Sequence, residues 1–174
     1  MLTENDVVSG RVGALVAEAC VELFSAYGVV LSPVEAGLDE GDENVMSGVM
    51  GFVGTRLRGT CLLSSAKSTL DASCPAGNRA RDWIGELTNQ LVGRLKTKLI
   101  ARGVEVFVTT PIVLTGARIR PVPRGLLQPT RFNSAAGGVL VWVEAESGRD
   151  LTLSTSSEIP GQQDTSGEGD ILLF

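Results

Sequence analysis

The chain has 174 residues, 43% of them hydrophobic and 20% charged, the proportions of a folded domain long enough to bury one core. Its formal charge of −5 argues against nucleic acid as the main partner, and no apolar run approaches the roughly 20 residues of a membrane span. Histidine is absent altogether, which excludes Ser-His-Asp, Cys-His and His-based zinc chemistry and leaves carboxylates, amides, lysine or groups on a partner.

In chain order, the opening Met1 to Asp6 lacks the basic start and apolar stretch of a signal peptide. Thr3 and Asp6 have the spacing of a helix-capping box, and Val8, Val12, Leu15, Val16, Ala19, Leu23 and Tyr27 then recur at helical spacing until Gly28. Val29 to Leu31 reads as an extended segment that breaks at Ser32-Pro33. The acidic run Asp39 to Asn44 reads as a solvated loop, since EF-hand spacing is absent. Val45 to Leu57 and Thr60 to Ser65 predict two strands turning around Arg58-Gly59, followed by a loop from Asp71 to Asn78.

A second long helix is predicted from Ala80 to Ala101 and closed by Gly103, with Lys96, Lys98 and Arg102 complementing its dipole. Strand-like runs follow at Val104 to Thr110, Ile112 to Ile119 and Gly138 to Ala145. A turn over Glu146 to Asp150 then leads to a last strand, Leu151 to Ser156. Short strands around two long helices predict an α+β fold, an antiparallel-rich sheet with both helices packed on it. Residues 1–158 form the domain in this reading. Residues 159–174, rich in Gly, Gln, Ser and acids, form a flexible tail.

The second helix is chemically dressed on its polar side. At about 100° per residue, Ile84, Leu87, Leu91, Leu95 and Leu99 make one apolar stripe. Asp82, Glu86, Asn89 and Gly93 fall opposite it, with Glu86 and Asn89 as neighbours three apart. Glycine inside a helix costs about 1 kcal/mol relative to alanine, so Gly85 and Gly93 ask for a reason, and close approach of another surface is one.

Glu86-x-x-Asn89, with Asp82 four residues before it and Pro111 downstream, resembles the signature helix of the CheC/CheX/FliY chemotaxis phosphatases. Gln90-Leu91-Val92-Gly93-Arg94-Leu95-Lys96 looks like the continuation of that helix. Gly51-Phe52-Val53-Gly54, Gly59 and Leu62-Leu63 resemble the group's first hairpin. The chain holds a single Glu-x-x-Asn, as in the CheX-like branch. The resemblance implies hydrolysis of the aspartyl phosphate on a CheY-like response regulator. Asn89 would hold the attacking water and Glu86 would pair with the regulator's lysine, with Asp82, Gly85 and Gly93 in the docking surface. The Mg²⁺ would come with the regulator, leaving no cofactor or metal site of the protein's own. It further implies a homodimer joined through sheet edges, with Gly138 to Ala145, where Val139, Val141 and Val143 alternate with Leu140, Trp142 and Glu144, and Leu151 to Ser156 as the candidate edges.

Blander readings stand beside this one. An isolated Glu-x-x-Asn pair is usually a solvated helix face, and Asp82 with Glu86 is an ordinary i,i+4 pair of acids. A docking module that hydrolyses nothing, or a flagellar-switch-like assembly component, would use the same face. Gly48, Gly51, Gly54 and Gly59 lack dinucleotide-binding spacing and fit tight strand packing or turns. Gly93 to Thr97 lacks the second glycine of a P-loop. Arg118, Arg120, Arg124 and Arg131 make a modest basic region that meets either solvent or an acidic partner. Cys20, Cys61 and Cys74, scattered and odd in number, read as free thiols in a reduced, cytoplasmic compartment.

Overall fold

The computed structural model describes residues 3–35, 45–116 and 128–148. The first helix, α1 (Glu4–Ala26), opens on the capping box: the Thr3 side chain accepts from Asp6 N at 3.1 Å, and Asp6 accepts in return from Thr3 N at 2.8 Å. It ends where Gly28 takes φ 76°, a left-handed turn that a side chain would resist. Strands β1 (Ser32–Val34), β2 (Val45–Val53) and β3 (Leu57–Ala66) follow, then a short helix α2 (Lys67–Ser73) and the long α3 (Ala80–Ile100). Strands β4 (Phe107–Val108), β5 (Ile112–Thr115), β6 (Thr130–Asn133) and β7 (Gly138–Ser147) complete the described chain.

All pairings are antiparallel and run β1-β6-β7-β3-β2, with β4 and β5 sharing the far side of β2. The α+β architecture predicted above is therefore present. Met50, Phe52, Leu57, Cys61, Leu63, Val139, Val141 and Val143 bury against Val12, Val16, Leu23 and Phe24 of α1 and the apolar stripe of α3. The two helices run antiparallel, with the end of α1 beside the start of α3. Lys98 ties them further along, at 2.9 Å from Glu22 and 3.1 Å from Glu18.

Several local expectations are corrected. Ser32-Pro33 is no break but part of strand β1, which among the described residues pairs with β6 alone and so lies at the sheet edge, where proline is tolerated. The hairpin turns at Gly54 to Arg56, closed by Gly54 N donating to Leu57 O at 2.7 Å. Arg58 and Gly59 lie inside β3, and Arg58 pairs across to Glu146 of β7 at 2.6 Å. The segment from Asp71 begins inside α2, and β6 is a strand that the sequence pattern did not mark. The run from Val104 to Thr110 keeps only Phe107 and Val108 in the sheet, and β5 ends at Thr115.

The candidate dimer edge is also corrected. Strand β7 extends through Glu146 to Ser147 and sits in the middle of the sheet, bonded to β6 on one side and β3 on the other. Beyond the end of β6, Ser9 of α1 takes the place of a strand: its hydroxyl donates to Ala145 O and accepts from Ala145 N, each at 2.9 Å. The acidic run 39–44, the strand at 151–156, the tail at 159–174 and Arg118, Arg120 and Arg124 fall outside the described residues. Among the described residues no helix is long and apolar enough to cross a membrane.

Candidate functional site

Helix α3 presents the predicted pair. Ile84, Leu87, Leu91, Leu95 and Leu99 are buried, and Asp82, Glu86, Asn89 and Gly93 are exposed on the other side. Two contacts seat the helix on the sheet. Trp83, buried, donates from Nε1 to Ser73 Oγ at 3.0 Å, anchoring the first turn to α2. Thr88 turns its hydroxyl back to Ile84 O at 2.7 Å and rests over Gly48 of β2, where a side chain would collide with it.

The β4–β5 segment supplies the second wall. Thr109 N donates to Gly51 O and Thr109 Oγ1 accepts from Gly51 N, both at 2.9 Å. That reciprocal pair pins the connection between β4 and β5 and delivers Pro111 to the side of α3. Arg81, Asp82, Gly85, Glu86, Asn89, Pro111 and Val113 together line one shallow, open depression. The predicted Glu86, Asn89 and Asp82 thus share a single surface with Pro111.

The two glycines of the predicted docking surface differ. Gly93 is exposed, and a Cβ there would meet nothing within 4 Å among the described residues, so packing among them gives no reason for its lack of a side chain. Gly85 is buried, not exposed. A Cβ at that position would lie 3.1 Å from Val113 Cγ2, so the surface that approaches it closely is strand β5 of the same chain.

The polar groups differ in how firmly they are held. Among the described residues, Asn89 and Asp82 form no side-chain hydrogen bond or ion pair, leaving the Asn89 amide free to donate and accept. Glu86 Oε1 accepts from Gln90 Nε2 at 2.8 Å, and Gln90 Oε1 accepts from the Tyr27 hydroxyl at 2.9 Å. Sequence reasoning missed Gln90 and Tyr27. The i,i+4 spacing of Glu86 and Gln90 was a usable signal, whereas the contact from α1 was not.

Other sequence candidates lie elsewhere. Gly93 to Thr97 is continuous helix with no phosphate cradle. Arg131 donates to Pro129 O at 3.4 Å. Cys20 and Cys61 are buried free thiols; burial, with Cys61 as its neighbour, raises the Cys20 thiol well above its ordinary range, and burial pushes Cys61 up to about 12. Lys98 is lowered by its own burial, but its hydrogen bonds to Glu22 and Glu18 leave it above its ordinary value. Among the described residues no three of Cys, Asp or Glu gather as a metal-ligand set.

Residues 46–125 match the family model described as chemotaxis phosphatase CheX. No curated protein matches the chain at a significant level of sequence similarity. Among solved structures, the chain is similar to the chemotaxis protein CheX of Vibrio vulnificus, at 21% identity and a TM-score of 0.63 over 76% of this chain and 95% of that one. A chemotaxis protein of Desulfovibrio vulgaris Hildenborough gives 22% identity and a TM-score of 0.62, covering 78% of this chain and 96% of that one. The CheX–CheY–BeF3–Mg²⁺ complex of Borrelia burgdorferi gives 14% and 0.53, covering 75% and 97%. Residues 46–125 are thus similar to the chemotaxis phosphatase CheX model, and the fold of the chain is that of the CheX-like structures.

Proposed function

We propose that the protein is a cytoplasmic phosphatase that hydrolyses the aspartyl phosphate of a CheY-like response regulator. The observation that carries this reading is the placement of Glu86 and Asn89 on one exposed face of α3, beside Pro111, with the Asn89 amide unpartnered. Asn89 enters the regulator's active site and holds a water in line with the phosphorus. Its amide accepts a hydrogen bond from that water or donates one to it, and so aims the oxygen. The water oxygen bonds to phosphorus, the bond from phosphorus to the aspartyl oxygen breaks, and inorganic phosphate and a free carboxylate leave. An acyl phosphate is already activated, so positioning and charge stabilisation suffice without a strong base. That suits a chain with no histidine.

Glu86 pairs with the regulator's active-site lysine and clamps the docked helix. The charge of the phosphoryl group is met by Mg²⁺ that the regulator carries. Support for this arrangement comes from the Borrelia burgdorferi neighbour, a CheX bound to CheY with BeF3 and Mg²⁺. Asp82 lies at the rim of the docking surface, and bare Gly93, one turn beyond Asn89, lets the partner's backbone come close.

Turnover is the test. The purified protein is expected to release inorganic phosphate from a phosphorylated receiver domain faster than the domain's own hydrolysis. Tight binding with no acceleration would instead make it a docking or flagellar-switch-like module. As a homodimer, the protein would join through the β4/β5 edge, where Phe107 is 74% and Ile112 61% exposed, and not through β7. Light scattering that gives a monomer at high concentration would reject that arrangement.

A further inference from the structure

Glu86 is oriented before any partner arrives, and the groups that orient it lie outside the predicted site. An ionised carboxylate only accepts hydrogen bonds, so the Gln90 NH2 must face Glu86 and its carbonyl oxygen must face away. The Tyr27 hydroxyl meets that oxygen at 2.9 Å, while Gln90 Nε2 holds Glu86 Oε1 at 2.8 Å. The three side chains therefore form a directed relay from the end of α1 to the exposed face of α3.

The far end of the relay is anchored. Tyr27 is the C-cap residue of α1, half-buried, and its ring stands edge-on to Trp83 with centroids 4.8 Å apart and planes at 88°. Trp83 is in turn fixed to Ser73. Glu86 Oε2 has no partner among the described residues, so one oxygen is held while the other stays open for a cation. Tyr27 also lies outside residues 46–125, the span the family model matches.

We propose that Tyr27 and Gln90 are positioning residues that preset Glu86 for the lysine of the docking regulator; the inference rests on the docking role given to Glu86 above. A long exposed side chain otherwise loses its rotamer freedom when the partner binds. Presetting it removes that loss, and the effect falls on docking and not on the chemical step at Asn89.

The test uses receiver domains phosphorylated with acetyl phosphate, taking one that the wild-type protein turns over. Tyr27→Phe, which keeps the ring on Trp83, and Gln90→Ala should each raise KM about threefold to tenfold while kcat changes less than about twofold. In a Glu86→Ala background neither change should move KM further, because nothing remains to be positioned. The inference is overturned, with the docking role of Glu86 intact, if Glu86→Ala raises KM but Tyr27→Phe and Gln90→Ala do not. It is equally overturned if they raise KM as much without Glu86, or if they lower kcat instead. If no receiver domain is turned over, the phosphatase reading fails, and if Glu86→Ala leaves KM unchanged, the docking role of Glu86 fails; either result takes this inference with it.

Discussion

Gly48 of β2 lies directly beneath Thr88 of α3, so close that a Cβ on the glycine would overlap the threonine hydroxyl and come 3.2 Å from Ile84 O. This contact sets how near the helix sits to the sheet. Glu86 and Asn89 occupy the same two turns as Thr88 and point the other way, so their height above the β5 wall depends on it. Gly48→Ala is expected to destabilise the fold by about 1–3 kcal/mol, the usual cost of overpacking a filled core. Urea denaturation reads this as a lowered midpoint, and a midpoint equal to the wild type would mean that α3 rides freely on the sheet.

Gly93 gives the opposite expectation. With open space around it among the described residues, Gly93→Ala should stabilise the protein by about 0.5–1 kcal/mol through helix propensity alone. The same change should reduce turnover of the phosphorylated regulator, because the added methyl group stands on the docking surface. Thermal unfolding and steady-state kinetics on one preparation check both halves. A variant that is more stable and fully active would remove Gly93 from the interface.

Much of this layout was legible in the sequence, and the limits have physical causes. The helices were legible because their burial is periodic and their ends are punctuated: Thr3 and Asp6 cap one, and Gly28 and Gly103, both at positive φ, close them. The pair Glu86 and Asn89 was legible for the same reason, lying opposite a clean apolar stripe. The hairpin turn was misplaced because Gly54 and Gly59 look alike in sequence. Only the fold distinguishes Gly54, in the turn with Glu105 O at close range, from Gly59, inside β3 with Phe52 and Glu144 against it. Strand β6, four residues with Phe132 alone fully buried, carries too little alternation to be seen, and missing it made the central β7 look like an edge. The Tyr27 to Gln90 contact spans 63 residues and has no local signature.

The buried thiols predict an alkaline weakness. Cys20 and Cys61 stay protonated in the folded state far above the ordinary thiol value of 9.0, whereas the unfolded chain ionises there. Their contribution is therefore fully present below pH 9 and is lost as pH rises toward the folded values. Above pH 9, wild-type stability should fall more steeply than that of Cys61→Ala by about 1.4 kcal/mol per pH unit. Parallel slopes measured by denaturation at several pH values would contradict this. At pH 8, a thiol reagent should label only half-buried Cys74 in the native protein.

Glu86→Ala should weaken docking by about 2–5 kcal/mol, since truncation leaves the regulator's lysine unpaired in the interface. Titration against a receiver domain loaded with beryllofluoride and Mg²⁺ measures it. Unchanged affinity would return Glu86 to ordinary surface charge.

The most direct measurement is phosphate release from a phosphorylated regulator by Asn89→Ala. Asn89 is exposed and bonds to nothing among the described residues, so its loss opens no cavity and should move stability by no more than about 0.5 kcal/mol. The expected result is a folded protein that still binds the regulator and has lost nearly all of its acceleration of hydrolysis. Turnover near the wild-type rate would contradict the placement of the attacking water by Asn89, and with it the mechanism.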